Sequence, residues 1–127
     1  MFVPFQLNVS DNYKEYFFVF SEVSPAARSH FVKNQNAKTT LSNKEKEAVN
    51  LIVSQVNGCV YCQSAHTVIG KMNGFTDEQI LNIRKGKAEN SKLNALVRLA
   101  ASITKNRGRA EAVLVDDFFA QGYTNEN

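Results

Sequence analysis

Apolar residues recur along this chain at helical spacing rather than in the alternation of a strand, and most recurrences follow a residue type that starts helices. Between Asn43 and Val56 the positions Ala48, Val49, Leu51, Ile52, Val53 and Val56 form a broad apolar stripe. Ser42 and Glu45 open it with the reciprocal pattern in which a hydroxyl and a carboxylate each accept a backbone N–H of the first turn. Ile52 and Val53 are β-branched and would suit a short strand, but the capping pattern and the length of the segment predict a buried helix. Asn57-Gly58 ends or bends it. A second helix is predicted from about Cys59 to Asn73, stopped by Gly74, and a third from Thr76, paired with Gln79, to about Lys85. Ser91 to Lys105 carries Leu93, Leu96, Val97, Ala100, Ala101 and Ile103 on one stripe, and a last helix is predicted from about Ala110 to Ala120. Nearer the N-terminus, an aromatic-rich helix is expected over Asn12 to Phe20. Another is expected from Pro25 to about Lys33, where Ser24-Pro25 supplies an N-cap and a first-turn proline. The fold class predicted is all-α.

One passage repeats. Gly74-Phe-Thr-Asp-Glu is echoed by Gly122-Tyr-Thr-Asn-Glu, and the first instance leads into a helix. The second is expected to lead into a helix of which only the first residues are present. The expectation is of a single domain over residues 1–127 whose C-terminal helix is missing, either a shortened version of a longer ancestor or a longer chain cut at that point.

Composition narrows the class without changing the fold. The 127 residues are 43% hydrophobic and 21% charged, with nine Phe, four Tyr and no Trp, an ordinary globular balance. The net charge is +3 and the pI about 8.9, but Lys and Arg are interleaved with Asp, Glu and Asn, so no nucleic-acid partner is expected. The densest basic stretch, Arg84, Lys85 and Lys87, reads as a solvated helix C-terminus. There is no apolar run of about 18 residues, and Met1 to Leu7 lacks a basic, then apolar, leader. No membrane association is expected, and the location expected is cytoplasmic. In a reducing compartment, two cysteines spaced C-x-x-C point to redox chemistry or metal binding rather than to a structural staple.

Cys59, Cys62 and His66 follow one another as C-x-x-C-x-x-x-H, steps that place all three on one face of a helix. A thiol becomes a useful nucleophile only when ionised. Helix N-terminal N–H groups, an imidazole one turn away and a hydrogen bond from the partner thiol all favour ionisation. Cys62 stands four residues before His66, which makes Cys62 the attacking thiolate and the site of any sulfenic acid, and Cys59 the resolving thiol. A structural zinc site needs four ligands, and only His30 remains as another imidazole, so zinc would need a carboxylate or a subunit interface, and no metal is expected. Covalent haem needs C-x-x-C-H, and residue 63 is Gln. No glycine-rich phosphate-binding motif is present, and no cofactor is expected. Glu47 either points inward toward His66, where it would orient the imidazole, or pairs at the surface with Lys44. Tyr61, between the cysteines, is read as an aromatic packed on a neighbouring subunit rather than as a polar group serving the thiols.

The segments Leu41-Ser-Asn-Lys-Glu-Lys-Glu47, Asn57-Gly-Cys-Val-Tyr-Cys-Gln-Ser-Ala-His66 and Gly74-Phe-Thr76 resemble the AhpD-like alkylhydroperoxidase branch of the carboxymuconolactone decarboxylase family. The resemblance runs from about Ser24 to the C-terminus. It implies an AhpD-like helical domain of about six helices with the C-x-x-C at a helix N-terminus, and assembly into a homo-oligomer, trimer or hexamer. It also implies a proton relay from Glu47 through His66 to Cys62 and Cys59. The function it implies is a thiol-dependent peroxidase or disulfide oxidoreductase, with a small hydroperoxide as substrate and a thiol reductant as partner. The alternative is a redox-sensing or interaction protein whose disulfide controls assembly without efficient turnover. Two departures from the resemblance stand out. AhpD enzymes carry a second histidine where this chain has Tyr61, and related proteins continue past the Gly-Tyr-Thr segment with a further apolar helix. The decarboxylase branch acts on a lactone without such a cysteine pair, so the two thiols favour redox chemistry.

Overall fold

Capping chemistry sets where the helices begin. In the computed structural model, which describes residues 39–127, the Ser42 hydroxyl accepts the Glu45 N–H at 3.1 Å. The Glu45 carboxylate in turn accepts the Ser42 N–H at 2.8 Å. This reciprocal pair opens α1, Asn43–Val56. α2, Val60–Met72, is capped by the sulfur of Cys59. Thr76 and Gln79 exchange bonds of 3.2 and 3.0 Å at the start of α3, Asp77–Arg84. The side-chain oxygen of Asn90 accepts the Leu93 N–H at 3.0 Å before α4, Ser91–Lys105. α5, Ala112–Ala120, begins after Glu111 without a side-chain cap.

The described residues contain helices and no strand, so the all-α expectation holds for them. The helices expected over Asn12 to Phe20 and Pro25 to Lys33 lie outside the described residues. Two predicted starts, Cys59 and Ala110, fall one or two residues early. Cys59 is an extended N-cap, with φ −80° and ψ 96°, rather than a helical residue. Among the described residues no helix is long and apolar enough to cross a membrane.

α1 is the central element: it packs against α2, α3 and α4, while α5 packs against α4. Ala48 and Leu51 of α1 are fully excluded from solvent, and with Ile52, Phe75, Ile80, Ile83 and Val97 they form one core cluster. Leu96, Leu99, Leu114, Phe118 and Tyr123 form a second between α4 and α5. Each fully buried Leu or Ile stabilises the fold by about 1.5–3 kcal/mol relative to exposure. A helix flanked on several sides in this way buries any polar residue it directs inward, and Glu47 is such a residue.

The echoed Gly-aromatic-Thr passage is the end of a longer repetition. Ser42, Lys44, Ser54, Gly74, Phe75 and Thr76 recur at one constant offset as Asn90, Lys92, Ser102, Gly122, Tyr123 and Thr124. The structural roles recur with them. Ser42 and Asn90 cap α1 and α4, and Gly74 and Gly122 have φ of 90° and 91°. Phe75 and Tyr123 are equally buried at 5% exposure. Lys44 and Lys92 lie over those rings at 4.7 and 4.6 Å. Asn127 accepts the Thr124 N–H at 2.7 Å, as Gln79 accepts that of Thr76. The α1–α2 and α4–α5 hairpins are thus two versions of one unit. At the positions matching Cys62 and His66 the second version carries Ala110 and Leu114, so the chemistry-bearing residues belong to the first alone.

Candidate active site

The turn between α1 and α2 is made by one residue that most side chains disfavour. Gly58 has φ +66°, with nothing within 4 Å of where a Cβ would stand, so the backbone angle rather than space explains the glycine. Past the turn the Cys59 N–H donates to the Ser54 carbonyl at 3.2 Å. This holds Cys59 as the N-cap of α2, and the Cys62 N–H donates to its sulfur at 3.2 Å. Cys59 and Cys62 are joined in a disulfide with Cα atoms 5.2 Å apart, a normal separation for such a bond. Both are half-buried. A sulfur that accepts the Cys62 N–H at the start of a helix is one whose thiolate, on reduction, is stabilised by that same group.

One turn along α2, His66 is 8% exposed and faces Glu47 of α1, itself 2% exposed. His66 Nδ1 hydrogen-bonds Glu47 Oε1, and the Asn50 amide donates to Glu47 Oε2 at 3.3 Å. A carboxylate accepting the Nδ1–H fixes the tautomer and leaves Nε2 as the nitrogen that exchanges a proton. His66 stands four residues after Cys62, on the same helical face. The structure thus brings Glu47, Cys59, Cys62 and His66 to one corner between α1 and α2. Of the two readings of Glu47 the inward one is observed. Lys44 instead donates to the Gly74 carbonyl at 3.4 Å and covers the Phe75 ring.

Tyr61 is 37% exposed, and burial of its ring raises the phenol above its ordinary pKa. Among the described residues no group of three His, Cys, Asp or Glu side chains is placed to hold a metal ion. A cavity of about 390 Å³ between the N-termini of α1 and α4, walled by Lys44, Glu45, Phe75 and Lys92 among others, shares no residue with this corner.

One sequence reading is corrected. Arg84 is not a solvated helix end: its Nε donates to Gln55 Oε1 at 2.8 Å and its Nη2 to Gln63 Oε1 at 2.9 Å. The guanidinium reaches back from the last turn of α3 to the α1–α2 corner, whereas Lys85 and Lys87 are exposed as expected. Asn50, Gln55 and Gln63 were not singled out by sequence reasoning either. The only signal for them is position, Gln63 directly after Cys62 and Asn50 three residues after Glu47 on the same helix face.

The profile of the carboxymuconolactone decarboxylase family matches residues 24–101, more than half of the chain and the part that contains Glu47, Cys59, Cys62 and His66. No curated protein and no solved structure matches the chain significantly. By that match, and with an all-helical fold carrying a closed C-x-x-C pair at a helix N-terminus, the chain belongs to the carboxymuconolactone decarboxylase family.

Proposed function

We propose that this protein is a thiol-dependent peroxidase that reduces small organic hydroperoxides through the Cys59–Cys62 couple, with His66 and Glu47 moving the protons. The observation that carries the reading is a disulfide closed at the first turn of the same helix whose next turn presents a histidine buried against a carboxylate. In the reduced protein, His66 takes the Cys62 proton and the Cys62 thiolate attacks the terminal oxygen of the hydroperoxide. The O–O bond breaks, the alkoxide leaves with a proton returned by His66, and Cys62 becomes a sulfenic acid. Cys59 then attacks the Cys62 sulfur and expels the oxygen as water, giving the disulfide seen here. Two electrons pass from two thiols to one peroxide bond, and an external dithiol restores the thiols by exchange. Glu47 keeps the imidazole in the tautomer that this cycle needs.

The test is consumption of tert-butyl hydroperoxide in the presence of excess dithiothreitol. Wild type is expected to turn over repeatedly and Cys62→Ser not at all. Glu47→Gln and His66→Asn are expected to retain about 1% of the wild-type rate or less, the range for loss of a positioned proton-transfer group. No consumption by wild type above the Cys62→Ser background would overturn the reading and leave the disulfide as a switch for assembly.

A further inference from the structure

Among the described residues, one side chain reaches the Cys59–Cys62 corner from α3, outside the α1–α2 hairpin. Arg84, in the last turn of α3, spends both arms of its fork on side chains of that corner. Nε donates to Gln55 near the end of α1 (2.8 Å), and Nη2 donates to Gln63 in the first turns of α2 (2.9 Å). Gln63 carries the connection inward, since its amide nitrogen donates to the Ser54 carbonyl at 3.3 Å. That same carbonyl receives the Cys59 N–H at 3.2 Å, and the Gln63 N–H donates to the Cys59 carbonyl at 2.9 Å. Cys59 is therefore bracketed. The residue that holds its N–H and the residue that holds its C=O are tied to each other through the Gln63 amide. Arg84 ties Gln63 to the end of α1.

We infer that Arg84 is a positioning residue for the thiol pair, bracing Cys59 over the first turn of α2 when the disulfide is open. The inference rests on the redox reading of the pair. In the oxidised protein the S–S bond itself fixes Cys59 relative to Cys62, and the brace adds little. In the reduced protein the brace acts with the Cys59 backbone bonds and the Cys62 N–H to Cys59 sulfur bond to limit how far the two sulfurs separate, and so it helps set the effective concentration of one thiol at the other. An Arg suits this task and a Lys does not. The planar fork addresses two acceptors in fixed directions, whereas an ammonium group is a point charge on a flexible stem.

The brace differs in sign from a second effect that a nearby cation has, namely stabilisation of a thiolate. Loss of a brace frees the reduced state and so weakens the disulfide. Loss of a thiolate-stabilising charge weakens the reduced state and so strengthens the disulfide. Lys in place of Arg84 keeps the charge and removes the fork.

The experiment equilibrates wild type, Arg84→Lys, Arg84→Met and Gln63→Ala with glutathione buffers, in which the protein dithiol plus oxidised glutathione gives the protein disulfide plus two reduced glutathiones. The fraction oxidised is read by alkylation and mass, with urea unfolding measured alongside. All three variants are expected to lower the equilibrium constant for closing the disulfide about tenfold, a rise of about 30 mV in potential. Arg84→Lys should match Arg84→Met. A constant unchanged in all three variants, whatever their unfolding midpoints, overturns the brace and leaves Arg84 a structural residue. A shift in Arg84→Met that Arg84→Lys does not share overturns it in favour of charge. If the wild-type pair titrates in neither glutathione nor dithiothreitol, the redox reading itself fails and the brace with it. Gln63→Ala keeps the test open should the Arg84 variants fold poorly.

Discussion

Glu47 shows what a single residue contributes to this site and what it costs. A carboxylate at 2% exposure is tolerable only with its oxygens occupied, and here His66 takes one and Asn50 the other. Removing one partner leaves the other buried without its bond, so the pair should behave as a unit. His66→Leu is expected to cost on the order of 2–3 kcal/mol of stability and Glu47→Gln about 1 kcal/mol. The double variant should lose less than the sum, with a coupling of at least about 1 kcal/mol in a urea-unfolding cycle. Strict additivity would mean that the two side chains do not support each other. At this scale the sequence was informative about chemistry and silent about aim. Cys59, Cys62 and His66 were legible because their spacing is itself geometry. Glu47 was legible only as one of two options, because a helix of polar and apolar residues does not say which of its acids faces inward. Arg84 was misread because a cation at a helix C-terminus is ordinarily solvated, and nothing local indicates that two glutamines from other helices lie within its reach.

At the scale of elements, the capping patterns located α1 and α3 to the residue, since a hydroxyl or amide acting on the third N–H fixes the first turn regardless of tertiary context. α5 was placed two residues early because Glu111 makes no side-chain cap for the sequence to announce. One capping box has a long-range extension that no local pattern predicts: the Tyr123 hydroxyl donates to Glu45 Oε1 at 2.7 Å and ties the segment after α5 to the start of α1. Burial pulls the Glu45 carboxyl upward, but the bonds from Ser42 and Tyr123 and the charge of Lys92 outweigh it and hold the group below its ordinary 4.5. A carboxyl depressed in the folded state contributes stability above that ordinary value, and the contribution is lost as pH falls through the folded value. Tyr123→Phe is expected to cost about 1 kcal/mol near neutral pH, with the deficit shrinking as the pH falls below 4.5. Urea midpoints measured at several pH values check this, and a deficit constant from neutral pH to pH 3 would contradict it.

For the molecule as a whole, the two hairpin units explain why so much of the fold was legible and the site only half so. The two units share their caps, one positive-φ glycine and a buried aromatic, so the sequence advertises the frame twice. The working residues occur once and lean on Arg84 of α3, outside the α1–α2 hairpin. The disulfide closes too short a loop to be the main support of such a frame: by chain entropy it contributes about 2 kcal/mol at most. The reduced protein is therefore expected to keep its helical circular dichroism and a cooperative unfolding transition. Collapse on reduction would mark the bond as a staple rather than a working couple. The central claim, that Glu47 and His66 serve Cys62, is tested most directly by the pH dependence of Cys62 alkylation, followed by mass spectrometry in the reduced wild type, Glu47→Gln and His66→Asn. A Cys62 thiolate formed well below the ordinary cysteine value of about 8.5 is expected in wild type and is expected to be lost in both variants. A Cys62 that titrates as a free thiol in all three proteins would contradict the claim.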